Sequence, residues 1–152
     1  MEEIEILKAY VHLEKERFVD AIDFKINIDP DLLEKNPIIP SMIIQPHLEN
    51  AILHGLSYSK QNGKITLALT EKEEGNLHCT IRDNGVGRAK SKELKKHNEH
   101  LSMASRNTND RIDILKKMGY QNVDLEIKDL FDNHGLSVGT EIIITLPFLT
   151  SK

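Results

Sequence analysis

The stretch Leu77-His78-Cys79-Thr80-Ile81-Arg82-Asp83-Asn84-Gly85-Val86-Gly87 decides the fold. Leu77, Cys79 and Ile81 alternate with His78, Thr80 and Arg82, the period of a half-buried strand. Asp83 keeps the parity of the apolar set, so its carboxylate points inward. An inward carboxylate is costly unless something hydrogen-bonds it. A bound ligand with an amino group would be a suitable partner. Gly85 and Gly87 allow the backbone to turn and to approach such a ligand closely. A plain turn is the competing reading, because Asn-Gly and Asp-Asn-Gly occur in many hairpins.

Working outward, Ile65, Leu67 and Leu69 alternate with Thr66, Ala68 and Thr70. They pair with the first stretch as a hairpin through Glu71 to Asn76, a turn that contains Gly75. Phe24, Ile26 and Ile28 predict another strand, ended by Asp29-Pro30-Asp31. Val123 to Ile127 and Thr140 to Leu146 predict two more. Helices are expected from Glu2 to about Asp20, from about Ser41 to His54, and from about Asn107 to Met118. The first carries Ile4, Leu7, Val11 and Phe18 on one face, with Glu14, Lys15, Glu16 and Arg17 largely on the other. The second stops at Gly55, and Pro46 either kinks it or marks its first turn. The third buries Ile112 and Leu115. Asp83 to His100 lacks periodicity and reads as a long loop, the length at which loops are usually lids or disordered. Strands grouped with helices between them predict one mixed sheet covered by helices on one face.

Composition narrows the function. The 152 residues suit one compact domain with room for a helical extension. A chain of this size buries roughly 70% of its unfolded surface and needs no staples. Basic side chains number 20 and acidic ones 24, so the net charge of −4 argues against nucleic-acid binding. Cys79 is the single cysteine, which excludes an internal disulfide and fits a reducing compartment. No apolar run approaches the length of a membrane span, and the acidic opening Met1 to Glu5 is no signal peptide. The abrupt helical start suggests a piece of a longer protein.

Two further segments could carry chemistry. In Gln45-Pro46-His47-Leu48-Glu49-Asn50-Ala51-Ile52-Leu53-His54-Gly55, residues 47, 50 and 54 share a helical face. Two imidazoles therefore flank an amide whose carbonyl oxygen suits Mg²⁺ beside phosphate oxygens and water. His47 and His54 could instead begin a soft-metal site, though no third ligand is spaced to complete it. A solvated helix face is the plain reading. In the last strand, Thr140 shares parity with Ile142, Ile144 and Leu146. If that strand and the Asp83 strand are antiparallel neighbours, Thr140 lies near Asp83. Cys79 reads as a small core residue and His12 as a solvated one. Arg88, Lys90, Lys92, Lys95 and Lys96 form a basic run, either a phosphate-sensing lid or a solvated loop.

In this order the pieces resemble the catalytic ATP-binding domain of sensor histidine kinases, in the LytS/YehU-type branch of the GHKL ATPase superfamily. Ile39-Pro40 followed by Gln45-Pro46-x-x-Glu49-Asn50-Ala51-x-x-His54-Gly55 is similar to that branch's N box. Asp83-Asn84-Gly85-x-Gly87 is similar to its G1 box, and Gly139-Thr140 before an Ile-rich strand ending at Leu146-Pro147 to its terminal G box. Tyr10 to Phe18 resembles the helix that precedes the domain. The resemblance implies an α+β two-layer sandwich of the Bergerat fold, a mixed sheet with helices on one face. It divides the chain into 1–20, the end of a helical dimerisation and phosphoacceptor-type region, and 21–152, the catalytic domain.

The resemblance also implies roles. Asp83 would accept a hydrogen bond from the adenine amino group, Thr140 would support that contact, and Gly85 and Gly87 would shape the pocket. Asn50 would hold Mg²⁺ on the phosphates of ATP. The chain departs from the pattern at Leu53, where the family usually has Lys; His54 would partly replace that cation. The lid box is usually Gly-x-Gly-Leu-x-Asn, and here it reads Ser102-Met103-Ala104-Ser105-Arg106-Asn107. Ser102 and Ala104 thus stand where glycines would cradle phosphates. No phosphoacceptor motif occurs.

The expected function is transfer of the ATP γ-phosphoryl group to a histidine outside these residues, on the same or a partner chain, and thence to a response regulator. The full-length protein is expected to be a homodimer, with this part on the cytoplasmic side of a membrane-anchored sensor. The alternatives are a nucleotide sensor or scaffold without phosphotransfer, and a metal-binding interaction domain built on His47 and His54.

Overall fold

Alternating segments assemble into one sheet because each has a single apolar side to bury. The computed structural model describes residues 2–17, 22–40, 42–52, 62–73, 75–95 and 104–150. In chain order these form α1 (Glu2–Arg17), β1 (Ile22–Ile28), α2 (Pro30–Glu34), β2 (Pro37–Ile38) and α3 (Gln45–Asn50). There follow β3 (Gly63–Glu73), β4 (Asn76–Asp83), α4 (Arg88–Lys95), α5 (Ala104–Lys117), β5 (Asp124–Phe131), β6 (Ser137–Pro147) and β7 (Leu149–Thr150). Among the described residues the main sheet has five strands, ordered β1-β3-β4-β6-β5. β1 runs parallel to β3, and every other neighbouring pair in that sheet is antiparallel. The sheet is mixed, as expected.

One parity is buried in the central strands β3, β4 and β6 and half-buried in the edge strands β1 and β5. Leu67, Leu77, Cys79 and Ile144 are fully covered. The other parity carries Thr66, His78, Thr80 and Arg82, which are half-buried or exposed. Ile44, Leu48 and Ile52 from the α3 region and Ile112 from α5 join the same core, so the helical layer lies on one face. At roughly 1.5–3 kcal/mol for each fully buried aliphatic side chain, this layer dominates the stabilisation. No described helix is long and apolar enough to cross a membrane.

Four local outcomes differ from the sequence expectation. Glu14 is buried, not part of the polar face of α1. Positions 4, 7, 11 and 14 form one i, i+3, i+7, i+10 row, and Ile4, Leu7 and Val11 on that row belong to the core. The Asp29-Pro30-Asp31 strand terminator opens the short helix α2. Asp29 caps it, its carboxylate accepting the Asp31 N–H at 3.1 Å, with Pro30 in the first turn. The expected loop from Asp83 to His100 contains α4. Its residues are mostly good helix formers, but five of the eight are charged, which left too short an apolar stripe to read. Finally, Pro37 and Ile38 pair with Thr150 and Leu149 in a separate two-stranded ladder that no alternation announced.

Candidate functional site

Asp83 ends β4 in phase with Leu77, Cys79 and Ile81, and its side chain is buried as the parity required. Asp83 Oδ1 accepts the Gly85 N–H at 2.8 Å. Burial pushes the carboxyl up to about 6, while the N–H groups of Gly85 and Thr140 pull the other way. Thr140 lies directly opposite Asp83 across the antiparallel β4–β6 ladder, and it too is buried. The structure therefore brings Asp83, Gly85 and Thr140 together. Cys79, four residues earlier on the same strand face, is fully buried, and burial raises its thiol.

Two glycines set this geometry. Gly87 has φ +78°, and a Cβ there would stand 1.9 Å from Ser137 Oγ. Gly139 has φ +141°, and a Cβ there would stand 2.0 Å from the Asp83 carbonyl oxygen. The start of β6 is thus pressed against the end of β4. Asn84 faces away from Asp83's work. It donates from Nδ2 to the Asn62 carbonyl at 3.1 Å and accepts the Lys64 N–H on Oδ1 at 2.7 Å, clasping the start of β3.

On the helical side, Pro46 stands in the first turn of α3 and does not kink it. The helix starts at Gln45, later than the expected Ser41, and passes into a π-type turn at Ala51 and Ile52; the rest of the expected span, 53 and 54, lies outside the described residues. Asn50 is its last residue, half-buried, and its amide makes no hydrogen bond among the described residues. Just before α3, Met42 has φ +63°, and Arg111 of α5 donates from Nη1 to its carbonyl at 2.7 Å. This bond ties α3's leading edge to α5.

His47 is buried, so the solvated-face reading fails for it. Desolvation lowers its imidazole to about 4, leaving it neutral at pH 7, and its Nε2 has no hydrogen-bond partner among the described residues. Among the described residues no cluster of three His, Cys, Asp or Glu side chains could hold a metal. His54 and Ser102 lie outside the described residues, as do Leu53 and the lid positions 101–103. Ala104 is the first residue of α5, with its side chain outside the description. Of the basic run, Arg88 pairs with Asp129, a contact 41 residues apart that no local pattern could reveal. Ser137 was likewise missed, because a lone strand serine carries no signal.

Sensor protein LytS of Oceanobacillus iheyensis is 40% identical over 85 residues, 56% of this chain and 14% of that one. Sensor histidine kinase YpdA of Escherichia coli is 38% identical over 82 residues, 53% of this chain and 14% of that one. Histidine kinases also supply the fold. A mycobacterial sensor histidine kinase, MprB, matches with a TM-score of 0.59 and 18% identity, covering 97% of this chain and 95% of that structure. Full-length ShkA, solved in complex with AMPPNP, matches with a TM-score of 0.57 and 16% identity over 97% of this chain and 30% of that one. The chain therefore has the α+β fold of histidine kinase catalytic domains. No protein-family model matches it. The chain spans between 14% and 32% of the lengths of the LytS protein and of YwpD from Bacillus subtilis, another relative.

Proposed function

We propose that residues 21–152 are the ATP-binding catalytic domain of a two-component sensor histidine kinase, and that residues 1–20 end its preceding helical region. The observation that carries this reading is the buried Asp83 carboxylate, set against Thr140 and holding the Gly85 N–H. A buried carboxylate with spare acceptor capacity suits an amino group on a flat heterocycle such as adenine. The LytS homology and a like fold solved with AMPPNP support the same ligand.

Asp83 would accept from the adenine amino group, with Thr140 and the Gly85–Gly87 turn bounding the base. Asn50, free of internal hydrogen bonds among the described residues, would turn its carbonyl oxygen toward Mg²⁺. One neutral oxygen fits a metal that arrives on nucleotide phosphates and keeps its waters, not a protein-built cage. Bound there, Mg²⁺ would neutralise charge on the phosphates. The protein's remaining task is positioning. The acceptor imidazole, on a histidine outside these residues in the same chain or on a dimer partner, attacks the γ-phosphorus. The bond to the β,γ-bridging oxygen breaks, ADP departs, and an aspartate of a response regulator receives the phosphoryl group next. A membrane anchor and a dimer of the full-length protein belong to this proposal.

Calorimetric titration with ATP, with and without Mg²⁺, tests the site. Micromolar to low-millimolar binding is expected, and absence of binding in both conditions would sink the reading. Asn50→Ala should weaken Mg²⁺-dependent binding by about tenfold, roughly 1.4 kcal/mol, and metal-free binding far less. Equal losses in both would make Asn50 structural. A nucleotide sensor without transfer is the second reading, favoured by Leu53 and by Ser102 and Ala104 in the lid box. Adding the acceptor helix and labelled ATP separates the two, since only the kinase places label on histidine.

A further inference from the structure

The turn carrying Gly85 and Gly87 leaves β4 at Asp83 and ends at Arg88, which reaches a different strand. Arg88 Nε donates to Asp129 Oδ1 at 3.0 Å and Nη2 donates to Oδ2 at 2.8 Å. Asp129 lies on β5, and β6 runs between β4 and β5. The three strands are level there: Asp83 faces Thr140, and Thr140 faces Asp129. The five-residue path from Asp83 to Arg88 thus crosses over β6, and the ion pair closes a ring through two ladders.

Beneath this strap Gly87 lies against Ser137, with no room for a Cβ. Ser91, one helical turn on, is buried and donates its N–H to the Gly87 carbonyl at 3.0 Å. A surface ion pair ordinarily contributes little. This one is a planar two-point fork on a carboxylate whose side chain is only 27% exposed. It also anchors a turn whose glycines have no side chains to pin them.

We propose that Arg88 and Asp129 form a latch that positions the glycine turn of the nucleotide pocket, Arg88 acting through Gly85 and Gly87 and not on the nucleotide. This rests on the ATP-binding reading for its effect on affinity, but not for its effect on the turn.

The test uses the full chain and four variants: Arg88→Gln, Arg88→Lys, Asp129→Asn and the reversed pair Arg88→Asp with Asp129→Arg. Amide exchange is read at Gly85, Ser91 and Cys79 without nucleotide, and Mg·ATP affinity by calorimetry. Arg88→Gln and Asp129→Asn should speed exchange at Gly85 and Ser91 by about tenfold and leave Cys79 unchanged. Both should raise the Kd for Mg·ATP about fivefold, Arg88→Lys less so, and the reversed pair should recover most of the loss. Exchange that rises equally at Cys79 would mean general destabilisation and overturn the latch, as would no change at Gly85 and Ser91. If turn exchange behaves as expected but the wild-type chain binds no ATP, the latch stands and the ATP reading falls.

Discussion

Asp83→Asn should lower ATP affinity by roughly ten- to a hundredfold, the worth of one charge-assisted hydrogen bond, while making the nucleotide-free protein more stable at pH 7. Both halves follow from one carboxyl. Its Oδ1 is held by the Gly85 N–H. In the variant the amide oxygen keeps that bond, which turns the NH₂ group toward the adenine amino group, donor against donor.

The stability half follows from burial. Folding raises this carboxyl from near 3.8 to about 6. Well below pH 3.8 it is neutral in both states and costs nothing. As pH rises toward 6 the unfolded chain ionises first, so the folded state loses relative stability. Above 6 the penalty is complete, at about 3 kcal/mol for a shift of this size. The variant escapes it and should melt several degrees higher at pH 7, with the advantage vanishing by about pH 3. Scanning calorimetry at both pH values reads this. Wild-type ATP affinity should itself fall as pH drops through 6. Unchanged affinity in Asp83→Asn would remove this residue from the pocket.

Gly139→Ala should cost more than about 3 kcal/mol, or abolish folding. The added Cβ would meet the Asp83 carbonyl oxygen at 2.0 Å, its carbon at 2.9 Å and the Asn84 Cα at 3.1 Å, all backbone, at φ +141°. None of those atoms can rotate aside, so relief requires parting β4 from β6 where Asp83 and Thr140 face each other. Gly87→Ala is the instructive comparison. Its Cβ would meet Ser137 Oγ, a side-chain atom that can swing away, so it should lose less and be partly rescued by Ser137→Ala. Denaturant unfolding ranks the variants, and equal costs at the two glycines would contradict the steric argument.

The strand alternation made most of this legible. Apolar parity along Leu77, Cys79 and Ile81 was enough to turn Asp83 inward, and the same parity in β6 set Thr140 opposite it. What escaped was non-local or aperiodic. α4 is short and five of its eight residues are charged, so the helix was hidden in what read as a loop. The pairing of Arg88 with Asp129 depends on strand order, which no local window contains. His47 looked solvent-facing because imidazole is polar; only the layer above it decides that it is buried. The close approach of Gly139 to Asp83 is a property of two strands, and a Gly-Thr pair reads equally well as a simple strand start.

The parallel pairing of β1 with β3 has a kinetic consequence. Residues 29–62, including α3 and Asn50, form the crossover that this pairing requires. The β3–β4 hairpin can nucleate from neighbours in sequence, but the crossover must close a long loop before its contacts repay the lost entropy. The half of the candidate site that carries Asp83 is therefore expected to order first and the half that carries Asn50 last. Pulsed amide labelling during refolding would show this as early protection at Cys79 and late protection at Ile26.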